Sequence, residues 1–302
     1  MEIGIGIIIA LLIGLFVVCY HFSNRVIKNK TLSPDEIVKI DVDDGISSKE
    51  WYEQLDKEDY SISSPYGYNL SATYIPTTSI PSKGTMIFSH GVTVSHITSI
   101  KYMRLFHEKG YDCLIYDHRR HGNSGGKDTS YGYYEKYDLK AVVDWLEKTK
   151  GFNGKLGIHG ESMGSAILLL YAGMEDKADF YIADCPYTTI WDQLLYRMKK
   201  DYSFPLSPML YIVNWVIYFR ARFNLKGVNC LESVKKIKKP ILFIHGMEDN
   251  YVPTYMGIAL YEVKPEPKEI YLVPNARHAK SLATDPEKYM KVVFDFIKRY
   301  CP

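Results

Sequence analysis

The run Gly160-Glu161-Ser162-Met163-Gly164 sets a serine between two glycines, at the junction of an apolar stretch over 155–159 and a helical pattern over 165–172. A serine hydroxyl is a weak nucleophile at neutral pH, so it needs a base within hydrogen-bond reach and amide donors beside it. Strand, sharp turn and helix supply that arrangement: the glycines leave room for a tight turn, and the helix aims its first amides at the site. The five-residue pattern alone recurs by chance about once in several chains of this length. Its surroundings therefore decide what it means.

Four His-Gly dipeptides extend the pattern. His90-Gly91, His159-Gly160 and His245-Gly246 close apolar runs, and His121-Gly122 follows another. The ends of parallel strands are where open α/β sheets bind ligands. Asp249 stands just past the run ending at His245-Gly246, and His278 lies in the loop after the next run, so the order along the chain is Ser162, Asp249, His278. Asp184 also ends an apolar run and competes with Asp249 for the role of acid. Simpler readings are a turn serine at 162, a helix cap at Asp249 near Pro253 and a surface histidine at 278. Asp117, His118 and His121 could suggest a metal, but a third ligand at a recognised spacing is missing, so neither metal nor cofactor is expected.

The elements that would hold these residues show as alternation. From Gly84 onward, apolar runs over 85–89, 111–116, 155–159 and 179–184 alternate with helical patterns over 100–109, 132–148 and 163–173. That rhythm predicts an α/β fold with a mostly parallel central sheet and helices on both faces. It breaks over 187–239 and resumes with a strand at 241–244, a helix at 254–263, a strand at 269–273 and a last helix at 286–300. Ahead of it, β-rich runs over 60–64 and 69–75 joined across Pro65-Tyr66-Gly67 predict a hairpin.

A chain of 302 residues, 46% apolar, accommodates one large domain rather than two. With 37 basic and 35 acidic residues it gives no electrostatic reason to expect nucleic acid. The cysteines at 19, 113, 185, 230 and 301 are odd in number and show no CxxC spacing, which fits reduced core thiols.

Residues 3–20 carry no charge and as a helix span about 27 Å, close to the hydrocarbon thickness of a bilayer. A basic n-region and a small-x-small cleavage site are both missing, so an uncleaved single-pass anchor is expected in place of a signal peptide. Arg25, Lys28 and Lys30 follow the helix and nothing basic precedes it, which places the remainder of the chain in the cytoplasm. The expected organisation is an anchor and basic flank over 1–30, a polar stalk over 31–59 with a helix start at Ser33-Pro34-Asp35-Glu36, and one domain over 60–302.

The motifs FSHG at 88–91, DHRRHGNSGG at 117–126, GESMG at 160–164 and FIHGMEDNYVP at 243–253, with the histidine loop at 274–281, resemble the α/β-hydrolase superfamily. More narrowly, they are similar to bacterial serine aminopeptidase-like hydrolases, often membrane-anchored and of unassigned substrate. The resemblance covers about 60–300 and is specific to fold and chemistry, not to substrate. It departs at Arg120, where relatives usually have glycine in D-x-R-G-H-G, so the loop there is expected to be shaped differently.

The resemblance implies an α/β-hydrolase fold, favours Asp249 over Asp184, and places a helical lid at about 187–239. Ser162 would attack an acyl carbonyl, His278 would carry its proton to the leaving group and Asp249 would fix the imidazole. Backbone amides of Val92 and Met163 would meet the oxyanion. The expected activity is hydrolysis of a carboxylic ester or thioester of a small acyl substrate; the lid's apolar run 209–219, too short to cross a bilayer, is read first as packing onto the core with no lipid preference and, in a sharper version, as receiving acyl chains from the bilayer. A peptidase cleaving short peptides from the N-terminus would need an acidic lid group to bind the substrate amine, for which Asp192, Asp201 and Glu232 are the candidates. A non-catalytic scaffold would have no need of all three residues. No obligate protein partner is implied.

Overall fold

The structure, a computed structural model, describes residues 2–46, 48–201 and 207–302. In chain order the helices are α1 (Glu2–Ile27), α2 (Pro34–Asp43), α3 (Lys49–Glu53), α4 (Ile100–His107), α5 (Glu135–Thr149), α6 (Met163–Ala172), α7 (Ile190–Asp201), α8 (Ser207–Ala221), α9 (Cys230–Val234), α10 (Thr254–Val263), α11 (Ser281–Thr284) and α12 (Pro286–Tyr300). The strands are β1 (Glu58–Ser63), β2 (Asn69–Ile75), β3 (Gly84–Ser89), β4 (Asp112–Tyr116), β5 (Lys155–Glu161), β6 (Phe180–Asp184), β7 (Ile241–Gly246) and β8 (Lys268–Val273). They form one sheet in the order β1-β2-β4-β3-β5-β6-β7-β8. β2 runs against the direction of the other described strands, pairing Asn69 with Ser63 of β1 on one side and Ala72 with Tyr116 of β4 on the other.

Strand residues point alternately to the two faces of a pleated sheet, and each face here finds its own core. In β3, Met86 and Phe88 pack with α4 and α12, whereas Ile87 joins α5 and α6 on the opposite face. In β4 the same split separates Cys113 and Ile115 from Leu114 and Tyr116. Because both faces are covered, the central strands are buried along their length and read as continuous apolar runs. All five cysteines are buried and unpaired.

The order β4-β3-β5 contains the point at which successive connections leave in opposite directions. A crevice opens at the strand ends of such a switch point. The loops after β3 and β5 border it, and those after β7 and β8 approach from the same edge.

Residues 31–59, read from the sequence as a stalk, lie against the body of the fold. Ser33 caps α2 through a reciprocal pair with Glu36, its amide donating to the Glu36 carboxylate at 2.8 Å. One face of α2 buries Ile37, and Asp41 reaches Lys101 Nζ at 3.4 Å. The amide of Leu32 donates to Thr93 O at 2.7 Å, and Lys280 bonds Asp44. Two of the segment's acidic residues, Asp41 and Asp44, thus pair with cations of the domain.

The interruption after β6 holds α7 and α8, the pair expected as a lid; its part at 202–206 lies outside the described residues. α1 has an apolar stretch, Gly4–Ile27, long enough to cross a membrane by length and composition. Only its last turns, including Cys19, Ser23, Val26 and Ile27, are buried.

Candidate active site

Ser162 sits between β5 and α6 with φ 55° and ψ −115°, a conformation that costs a non-glycine residue about 1–3 kcal/mol and must be enforced by its surroundings. The enforcement comes from close backbone packing. A β-carbon on Gly160 would stand 2.4 Å from Gly164 O, and one on Gly164 would stand 1.9 Å from Ser89 O. Both glycines are therefore required by approach. The Ser162 amide donates to Asp184 O at 2.9 Å, which fixes the turn from the β6 side.

Ser162 Oγ lies 2.9 Å from His278 Nε2, and His278 Nδ1 lies 2.7 Å from Asp249 Oδ2. Burial opposes the charge on Asp249, but hydrogen bonds from His245 and His278 outweigh it and hold its carboxyl well below the usual carboxylate range. Its other oxygen accepts the amides of Tyr251 and Val252, both at 2.9 Å. An ionised carboxylate can only accept, so His278 Nδ1 carries the ring proton and Nε2 is left free to take one from Ser162.

Asp184 is engaged elsewhere, accepting from Ser281 Oγ at 3.1 Å and Tyr289 Oη at 3.2 Å. Burial, followed by the charge of Glu161, pushes its pKa up to about 7. The structure thus brings Asp249, not Asp184, to His278.

Val92 follows β3, and Gly91 lies close enough for a β-carbon there to stand 3.6 Å from Ser162 Cβ. His90 sets the direction of the intervening peptide. Its Nε2 accepts the His118 amide at 2.9 Å, so Nδ1 carries the proton and donates to Gly91 O at 2.7 Å. Burial, reinforced by the neighbouring imidazoles of His118 and His121, keeps the ring neutral. A trans peptide points its N–H opposite to its C=O, so turning Gly91 O onto His90 turns the Val92 amide away from it. The loop is held further by the Thr93 amide donating to His121 Nε2 at 3.2 Å. Met163 opens α6, where helix amides have no internal partner.

His118, His121 and Asp117, weighed above as ligands, are hydrogen-bonding braces. His118 Nε2 lies 3.1 Å from both Ser89 Oγ and His90 O, and Asp117 accepts from His96 and from the Asn123 amide. Among the described residues, the grouping with the spacing of a metal site is Cys185, Asp249 and His278, two of whose members are already bonded as above.

Other features were not legible in the sequence. Lys101 is buried between Glu161, at 3.3 Å, and Asp41, at 3.4 Å; burial opposes its charge, but the two carboxylates outweigh that and raise its pKa. Tyr251 packs at a tilt against His278 with ring centroids 4.9 Å apart, and α7 fastens the Tyr251 loop through Gln193 Nε2 donating to Tyr251 O at 2.7 Å. Arg120 adopts φ 63°, the left-handed region open to glycine, and its guanidinium holds Asn29 O at 2.6 Å just beyond α1. The departure from glycine thus keeps the turn and adds a tie to the N-terminal helix.

Two cavities meet at Ser162. One, of about 300 Å³, is bordered by Gly91, Lys101, Glu161 and His278. The other, of about 40 Å³, lies under the lid between Met163, Tyr187, Ile190 and Leu194. It shares Tyr131, Leu194, Arg197 and Tyr251 with a larger cavity of about 280 Å³ between α1, α7 and α8.

Residues 80–218 match the family model described as serine aminopeptidase, S33. The chain is 41% identical to the uncharacterized protein YqkD of Bacillus subtilis over 98% of its own length and 96% of that protein. It is 28% identical to the uncharacterized membrane protein YNL320W of Saccharomyces cerevisiae over 64% of its length and 62% of that protein. Among solved structures it is similar to the Pyrococcus furiosus esterase Pf2001, with TM-score 0.68 and 27% identity over 85% of this chain and 95% of that one. The fold and these matches define a class, and the chain belongs to the α/β-hydrolase superfamily. Hydrolysis is the general chemistry that this membership supports.

Proposed function

We propose that the chain is a membrane-tethered serine hydrolase that cleaves a carboxylic ester or thioester through an acyl-enzyme at Ser162. The observation that carries this reading is the continuous relay from Ser162 Oγ through His278 to an ionised Asp249. Ser162 Oγ adds to the acyl carbonyl as its proton passes to His278 Nε2. The carbonyl oxygen becomes an oxyanion facing the amides of Val92 and Met163. The tetrahedral intermediate expels the alcohol or thiol, which takes the proton from His278. Water then enters, gives its proton to His278 and attacks the acyl carbon, and the proton returns to Ser162 as the acid leaves.

A peptidase that cleaves short peptides from the N-terminus needs a carboxylate free to hold the substrate amine. The lid's candidates are engaged: Asp201 accepts Arg197 at 2.7 and 2.9 Å, Asp192 accepts Thr189 Oγ1 at 2.8 Å, and Glu232 pairs with Lys235 at 2.6 Å. Glu161, beside the nucleophile, is taken by Lys101 and by Tyr102 Oη at 2.6 Å. The pairing favours an ester or thioester over a peptide held by its free amino terminus.

The tether in this reading is α1, with the catalytic domain in the cytoplasm on the strength of the basic residues that follow the span. Labelling with a fluorophosphonate, alongside Ser162→Ala and a series of p-nitrophenyl esters from acetate to laurate, tests the chemistry. Labelling and turnover that vanish together in Ser162→Ala are expected. A folded wild-type chain that neither labels nor turns over, with or without detergent, would sink the reading. Protease protection of tagged vesicles tests the side.

A further inference from the structure

Helix α8 is apolar on two sides. Leu210, Val213 and Ile217 are buried against the domain, whereas Tyr211, Trp215, Tyr218 and Phe219 are each 49–59% exposed. Positions 211, 215, 218 and 219 recur at helical spacing and form one outward stripe. Trp215 and Phe219 meet edge to face with ring centroids 4.5 Å apart. A helix hydrophobic on both sides is normally buried on both, and solvent alone gives no reason to place four aromatic rings here.

The position of the stripe supplies the reason. Arg220, next to Phe219, donates to Ser23 Oγ at 2.5 Å and Asn24 Oδ1 at 2.6 Å, and its guanidinium lies 4.1 Å from the centre of the Tyr20 ring. These contacts clamp α8 beside the end of the apolar stretch of α1, whose residues from Ile5 to Tyr20 are largely exposed. The stripe therefore continues an apolar surface already long enough for a bilayer, at the level where that surface meets water. Trp and Tyr, with apolar bodies and polar tips, favour that level. Arg222, exposed just past α8, adds a cation where lipid headgroups carry phosphate.

We propose that the outer face of α8 is a second membrane contact, lying in the headgroup layer of the bilayer that α1 crosses. The proposal rests on the reading of α1 as a membrane span. It has a consequence for the site. The cavity between Phe22 and Val26 of α1, Leu194 and Met198 of α7, and Leu210 and Val213 of α8, with Arg25, Arg197 and Asp201 at its polar side, then opens beside lipid, and through Tyr131 and Tyr251 it adjoins the cavity at Ser162. An acyl chain drawn from the membrane would enter this larger cavity, so the ester serving as substrate belongs to an amphiphile resident in the bilayer.

The test uses the full-length chain in phosphatidylcholine–phosphatidylglycerol vesicles whose acyl chains carry bromine near the headgroup. Bromine should quench part of the tryptophan fluorescence, and Trp215→Phe should remove most of the quenchable part. Equal quenching in the two proteins, or none, overturns the contact. A second arm compares Trp215→Ser/Phe219→Ser with wild type: hydrolysis of a short soluble ester should be unchanged, and hydrolysis of a lipid ester in vesicles should fall about tenfold. Equal rates on the lipid ester overturn the consequence. Extraction at alkaline pH reports separately whether α1 is inserted, and fluorophosphonate labelling reports separately on Ser162. A dimer in detergent that Trp215→Ser/Phe219→Ser converts to monomer would assign the stripe to a second copy of the chain and refute the proposal.

Discussion

The carbonyl oxygen of Ser89 stands 1.9 Å from where a β-carbon on Gly164 would be, so the end of β3 and the first turn of α6 touch backbone to backbone. Neither side of that contact can yield by turning a side chain. Gly164→Ala should push α6 off β3 and, with it, the turn that holds Ser162. Overpacking of this kind costs about 1–3 kcal/mol. The expected result is a lowered melting temperature together with loss of fluorophosphonate labelling at temperatures where the variant is still folded. Unchanged labelling in a destabilised variant would show that the turn is held independently of the glycine.

Asp249 and Asp184 offer a paired comparison, because Asp184 ends β6, Asp249 lies in the loop just past β7, and only Asp249 meets His278. Asp249→Asn removes the charge that fixes the imidazole tautomer, and a loss of kcat of about 10⁴ is expected by comparison with triads in general. Asp184→Asn should leave kcat within about tenfold of wild type, since it acts only on packing behind the site. Steady-state kinetics on a short soluble ester decides. Similar losses in both variants would mean that Asp184 contributes to the relay.

Legibility in the sequence followed the range of the interactions. The strand-turn-helix around Ser162 and the strand ends bearing Asp249 and His278 are local patterns, and the structure sets these three side chains in hydrogen-bond reach. The helices Thr254–Val263 and Pro286–Tyr300 likewise match their periodicity. Asp41 was invisible as a partner because its cation, Lys101, lies sixty residues on and carries no motif. The same holds for Arg220 and Ser23, separated by 197 positions. Periodicity reports which face of an element is buried, not which distant charge will meet it.

Asp184 also predicts how stability varies with pH. Burial raises its folded pKa to about 7 from the ordinary aspartate value near 3.8, so between those limits the folded chain keeps a proton that the unfolded chain loses. The contribution is intact below about pH 4 and declines as pH rises to about 7, by at most about 4 kcal/mol. Asp184→Asn, which cannot ionise, should therefore compare more favourably with wild type at pH 8 than at pH 5. Thermal unfolding of the two proteins across that range measures the difference. A gap independent of pH would mean that Asp184 is already ionised in the folded chain at pH 5.

His90 reaches the chemistry without touching substrate. It holds Gly91 O at 2.7 Å and receives the His118 amide at 2.9 Å, and these two bonds fix the peptide whose other end is the Val92 amide. In His90→Ala both backbone groups lose their buried partner, and rotation of the Gly91–Val92 peptide becomes the way for Gly91 O to find another. An oxyanion donor lost in this way costs about 10²–10³ in kcat. The substrate's ground state makes little use of that donor, so KM should change far less than kcat. A merely structural role would lower stability and the fraction of active enzyme, leaving kcat per labelled site intact. Titrating active sites with the fluorophosphonate before measuring turnover separates the two. A normal kcat per site in His90→Ala would show that the peptide keeps its direction without the histidine.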